Sequence, residues 1–216
     1  MSGQQQSPIH IKSPIVTKYS KPLKIRWSKN LDGTLEGHGG KVEVLFSGDK
    51  NERISFDGRN FHIVQFHFHH KSEHWIDDKQ YPMELHIVHQ NCEPNDGKLA
   101  VLGIMIEADN KAESLPGLIE MIDSFQKDDT CSREDFKTNP NEWLPKDKQG
   151  KPLTDHYYRY EGSLTTKPYN EIVSWVVLRE PLKLPRKEIN KLIRCAGEPA
   201  RLPQPLNRRF VLANFS

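Results

Sequence analysis

The 216-residue sequence has no long apolar run. Its longest are LAVLGIMI (99–106) and WVVL (175–178). Both fall far short of the ~20 residues that carry a helix across a bilayer, so no membrane span is expected. No basic-then-apolar leader opens the chain as given, which favours the cytoplasm, or a secreted or periplasmic place only if a leader was removed. Charge of one sign is lacking too: 31 Lys and Arg face 29 Asp and Glu, for a net charge of +2. A nucleic-acid binder is usually more one-sided, and no aromatics interleave the basic stretch 183–209, so no nucleic-acid partner is expected. Cysteine is scarce. Cys92, Cys131 and Cys195 form no CxxC pair, which argues against a thiolate zinc site and fits ordinary thiols in a reducing compartment. Internal repeats and low-complexity linkers are absent, so residues 1–216 are expected to form a single domain. Histidine is the exception to this thrift. There are ten, and seven of them (62, 67, 69, 70, 74, 86 and 89) lie between residues 62 and 89.

Strand patterns dominate the chain. Segments 42–46, 61–70, 84–90, 99–108 and 171–180 are rich in β-branched and aromatic residues, with turn-like SGDKN (47–51), FDGRN (56–60) and PNDGK (94–98) between them. Helical spacing is rare: Leu118, Ile122 and Phe125 after Ser114, and Ile189, Leu192 and Ile193 after Pro185. Proline-rich coil fills 199–206. The expected fold is mainly β (α+β), a large twisted and mostly antiparallel sheet with a few short peripheral helices, monomeric or homodimeric.

Side chains alternate faces along a strand. In 61–70 this places Phe61, Ile63, Gln65, His67 and His69 on one side, with Val64, Phe66 and Phe68 on the other. In 84–90, Glu84, His86 and Val88 share a face. If these strands are neighbours, His67, His69 and His86 surround one point. Three neutral nitrogens with an open fourth position make a catalytic zinc (Zn2+) site. Gln65 and Glu84 stand where each accepts the free ring N–H of its neighbour and fixes the tautomer. His10, His62, His70, His89 and His156 read as structural or superficial. A rival reading takes H-x-H-x3-E through His67, His69 and Glu73 as a cupin-type metal motif, although Phe61 and Gln80 stand where a cupin has glycine. The two readings part at Glu73, a ligand in one and not in the other.

The blocks QSPIHI (6–11), VQFHFHHKSEHWIDDKQYPMELHIVHQN (64–91), LAVLG (99–103), YEGSLTTKP (160–168) and PQPLNRR (203–209) resemble the α-class carbonic anhydrases, in the family's order. The short HFHHKSEH connection is more similar to bacterial and plant-like members than to vertebrate ones. The resemblance implies reversible hydration of carbon dioxide to bicarbonate and a proton, with zinc held by His67, His69 and His86 and assisted by Gln65 and Glu84. It implies that Thr165 meets the hydroxide on the metal and passes its own proton to Glu73, and that His74 supports the site through the SEH block. It implies an apolar pocket for carbon dioxide from Val88, Val101, Leu164 and Trp175, with Thr166 touching bicarbonate. It aligns His38, in EGHGGKVEV, with the proton shuttle; an exposed histidine titrates near neutral pH. Sulfonamide inhibition follows from the same resemblance. Gly39, Gly40 and Lys41 would make the cleft rim small and basic. No cysteine stands near QSPI, and Tyr169 stands where secreted members carry their disulfide partner. A third reading, a non-catalytic carbonic-anhydrase-like module, would use the basic 183–209 stretch on polyanions.

Overall fold

The computed structural model describes residues 3–17, 22–38, 41–93, 96–115, 117, 118, 120, 132–197 and 199–216, with only the backbone of His38 and of residues 132–135. The strands in chain order are β1 His10–Ile11, β2 Ile15–Val16, β3 Lys24–Arg26, β4 Leu31–His38, β5 Lys41–Phe46, β6 Arg53–Phe56, β7 Arg59–His70 and β8 Trp75–Ile76. They continue as β9 Lys79–Gln80, β10 Met83–Asn91, β11 Leu99–Ala108, β12 Ser132–Thr138, β13 Tyr157–Gly162, β14 Val173–Leu178, β15 Leu182–Leu184 and β16 Leu212–Ala213. One sheet runs in the order β12-β4-β5-β7-β10-β11-β14-β13-β16-β2, with β3, β6 and β15 paired at its side. The ladders are mostly antiparallel, and β11 joins β14 and β15 in parallel. A second, three-stranded sheet is β1-β8-β9. No described helix is long and apolar enough to cross a membrane.

The segment 99–108 forms β11 as expected, and 61–70 begins two residues early, at Arg59. Asp57 and Gly58 make the two-residue β6–β7 turn with φ of +49° and +77°. A turn with both φ positive matches the twist of a hairpin, and Asp-Gly tolerates it. After Pro185 runs helix α1, Arg186–Leu192, which buries Ile189 and Leu192. Of the segment after Ser114, Gly117, Leu118 and Glu120 are helical, while Ile122 and Phe125 lie outside the described residues. The Ser114 hydroxyl reaches Glu188 of α1. Cys92 and Cys195 form no disulfide, and Cys131 lies outside the described residues.

The sheet separates two apolar interiors. The larger holds Leu85 and Ile87 of β10, Leu102 and Ile104 of β11, and Val176 and Leu178 of β14. The smaller holds Val88, Val101, Trp175 and Val177 with Ile9, Ile11 and Tyr160. One expectation is corrected here. Phe61 and Ile63 do not share the face of His67. They pack in the larger core with Phe66 and Phe68, while Val64 joins the smaller cluster. The cause is a β-bulge: Val88 pairs Gln65, His89 pairs Ile63, and Val64 is the extra residue between them. An inserted residue reverses the alternation of faces beyond it.

Candidate metal centre

Strands β7 and β10 are antiparallel neighbours, with His86 directly opposite His67 and Glu84 opposite His69. Residues opposed in this way put their side chains on one face. The three rings meet there: one nitrogen from each of His67, His69 and His86 lies within 4.8 Å of the others, and all three residues are buried. His67 Nε2 stands 3.0 Å from His69 Nε2. The outward nitrogens of two of the rings are committed elsewhere. His67 Nδ1–H donates to Gln65 Oε1 at 2.7 Å, and His86 Nε2–H donates to Glu84 Oε1 at 2.9 Å. These bonds turn the lone pairs of His67 Nε2 and His86 Nδ1 into the cluster. Burial, then the neighbouring imidazoles, hold His67 and His69 well below the usual histidine range. Rings in that state are neutral, the form that ligates a metal. The donor set therefore fits zinc.

Glu84 is fully buried and saturated. Its Oε1 also accepts from His74 Nδ1–H at 2.7 Å, and its Oε2 accepts the backbone N–H groups of Glu73 and His74 at 2.9 and 2.8 Å. Burial pushes its carboxyl up, but His74 and His86 overcome this and hold it well below the usual range. A buried carboxylate is tolerated when its oxygens are paired in this way. The chain of contacts continues beyond sequence expectation. The Tyr160 hydroxyl bridges His74 Nε2 at 2.6 Å and Ser7 Oγ at 3.0 Å. Ser163 N–H donates to Ser7 Oγ, and Trp175 Nε1–H donates to the Ser163 carbonyl. Ser7 and Tyr160 both stand inside the quoted blocks. The signal missed was the shared face of Tyr158 and Tyr160 on β13.

Glu73 lies beside the cluster, with Oε2 at 3.6 Å from His69 Nε2 and 4.0 Å from His86 Nδ1. It is not part of the group whose atoms lie mutually within 4.8 Å. Burial raises its carboxyl, against the pull of His86, of the Thr165 hydroxyl and of the Arg201 N–H, which donates to Oε1 at 3.0 Å. Thr165 is buried and Thr166 is exposed. Val88, Val101 and Trp175 form a row of directly opposed residues across β10, β11 and β14, with Leu164 packed against their cluster. The Trp175 ring lies 4.9 Å from that of His86 and 4.7 Å from that of His74, so it underlies the histidines. The backbone of His38 ends β4 opposite Lys41; its side chain and residues Gly39 and Gly40 lie outside what is described.

His89 and His62 stand outside the cluster, as expected. His89 is buried against Trp27, its ring stacked at 5.7 Å, and His62 lies beside Cys92. Two of the eight bases in 183–209 turn inward. Arg201 donates to Ser7 O and Gln6 Oε1 and stacks on Tyr169, and Arg209 donates to the backbone of Gln6, Glu161, Pro205 and Leu206. That stretch is therefore less of a polyanion face than its composition implied.

The chain matches the family model of eukaryotic-type carbonic anhydrases over residues 1–215. It is 31% identical to carbonic anhydrase 7 of Mus musculus, covering 99% of this chain and 89% of that protein over 247 positions. It is 32% identical to a carbonic anhydrase of Klebsiella pneumoniae, covering 98% and 80% over 214 positions. The mouse alignment is longer than this chain, so the mouse protein carries insertions; the bacterial one is not. The structure of Cah3 from Chlamydomonas reinhardtii in complex with acetazolamide superposes with a TM-score of 0.84 at 30% identity, covering 99% of this chain and 92% of that one. The cupin reading is overturned by this match and by the large open sheet, which place the H-x-H-x3-E run in another fold.

Proposed function

Because the chain belongs to the eukaryotic-type carbonic anhydrase family, we propose that it catalyses the reversible hydration of carbon dioxide at a zinc ion held by His67, His69 and His86. One observation carries this reading: three buried imidazole nitrogens converge while Gln65 and Glu84 occupy the outward nitrogens of two of the rings. Zinc bound there would supply Lewis acidity, lowering the pKa of a water to about 7, a value that comes from carbonic anhydrase itself.

The chain's own residues do the rest. Gln65 and Glu84 fix the tautomers of His67 and His86, so each ring presents a lone pair inward. Glu73 gives Thr165 a carboxylate for its single hydroxyl proton, leaving the Thr165 oxygen free to accept. The acceptor then selects the orientation of a hydroxyl group beside it. Val88, Val101, Leu164 and Trp175 offer an apolar wall, which suits a neutral linear substrate with little to hydrogen-bond. Thr166 meets the bicarbonate product. His38, at the end of β4, passes the surplus proton to solvent.

Zinc analysis with stopped-flow hydration of carbon dioxide tests this. One zinc per chain and hydration above buffer are expected, with hydration lost and zinc retained on adding acetazolamide, the ligand in the Chlamydomonas complex. Zinc-loaded protein with no hydration above buffer would overturn the reading. His38→Ala should slow turnover in weak buffer, with rescue by imidazole; unchanged turnover removes His38 from the path.

A further inference from the structure

This inference rests on the proposed zinc site and concerns a charge pair beside it. Glu43 of β5 lies directly opposite His67 across the β5–β7 ladder, so the two share a face. Lys41 stands two residues earlier on β5 and faces the same way. Val42 and Val44 point oppositely, into the larger core. Lys41 and Glu43 form an ion pair, with side chains 33% and 27% exposed, so neither is free in bulk solvent.

The lysine is held from behind as well. Its backbone bridges to Ala196. Gly197, at φ +67°, packs so closely that a Cβ there would lie 2.8 Å from Lys41 Cβ. A long flexible stem is thereby confined next to the site face. The ammonium therefore stands on the face that carries His67, where its field reaches a bound ligand. Carbon dioxide is neutral and indifferent to such a field. Bicarbonate and carboxylates are not.

We propose that Lys41 makes this site discriminate among ligands by charge, favouring small anions and anionic inhibitors over cationic ones, with Glu43 setting how much of the lysine charge is felt. The two residues then act in opposite senses. Removing Lys41 weakens the anion preference. Removing the Glu43 charge strengthens it, because the ammonium loses its partner.

The test uses three benzenesulfonamides, with a para carboxylate, carboxamide or aminomethyl group, measured by calorimetry on zinc-loaded wild type, Lys41→Gln and Glu43→Gln. In Lys41→Gln the carboxylate-to-aminomethyl affinity ratio should fall about fivefold, the size expected of a partly exposed charge pair. In Glu43→Gln it should rise about threefold. Both changes should shrink in about 0.5 M salt, where screening is short-ranged. The neutral carboxamide is the internal reference. If it binds all three proteins and the ratio moves in neither variant, Lys41 has no such role. A shift of the same sign in both variants also overturns the proposal, since it would report disturbed packing. If the carboxamide fails to bind wild type, the zinc reading itself falls, and this inference with it.

Discussion

His86 and His89 stand three residues apart on β10, both buried, one on each face of the sheet. On the site face, His86 gives one nitrogen to Glu84 and turns the other toward His67 and His69. On the core face, neither ring nitrogen of His89 makes a hydrogen bond of good geometry, and the ring lies flat against Trp27. Burial pushes His89 down to about 3. One imidazole is thus a wired polar group and the other an apolar plate. The residue type does not decide which; the carboxylate two positions before His86 does. Polar burial on the site face is supported by a chain of hydrogen bonds through Glu84, His74, Tyr160 and Ser7.

The contrast can be broken most forcefully at Glu84. Glu84→Ala leaves His74, His86 and two backbone N–H groups without their acceptor. Urea unfolding should show a loss of about 3–5 kcal/mol, the cost of stripping one partner from a buried charged network. Chelator competition should show zinc held at least about tenfold more weakly. A loss below about 1 kcal/mol would mean the network is not what supports this face.

Zinc itself separates the two histidines next. At free zinc 100-fold above its Kd, folding should gain about 3 kcal/mol. His86→Ala should abolish that gain and His89→Phe should keep it. Thermal unfolding with and without a chelator reads both.

His89 gives a pH signature. Its folded value of about 3 lies below the unfolded value near 6.5. The folded state therefore binds fewer protons, and stability is fully present above about 6.5 and lost as pH falls toward 3. At pH 5 wild type should have lost about 2 kcal/mol through this group. His89→Phe, which keeps the stack on Trp27, should lack that loss. Equal slopes between pH 7 and 5 for the two proteins would refute it. The smallest effect belongs to Tyr160→Phe, which removes one hydroxyl between His74 and Ser7 and should cost about 1 kcal/mol in urea unfolding.

Much of the site face was legible because strand alternation is a local rule. His67, His69 and Gln65 sit at period two on one strand, and Glu84 and His86 on the next, so only the adjacency of the strands had to be supplied. The network beyond His74 was not legible, because Ser7 and Tyr160 are 153 residues apart and only the folded chain brings them together. The face of Phe61 and Ile63 was misread for a different reason. A bulge at Val64 leaves no mark in the residue types, since valine suits a regular strand equally well.

That bulge works like a one-letter insertion in a reading frame. Before Val64, Phe61 and Ile63 spell core; after it, the odd-numbered positions Gln65, His67 and His69 spell chemistry. Keeping every residue but ironing the bulge into a regular ladder from the hairpin at Asp57–Gly58 would swap the two messages, sending His67 and His69 into the larger core and Phe66 and Phe68 to the site face, whereas deleting Val64 would leave His67 opposite His86. One strand thus carries two texts, and a residue with no functional group of its own marks where one ends and the other begins.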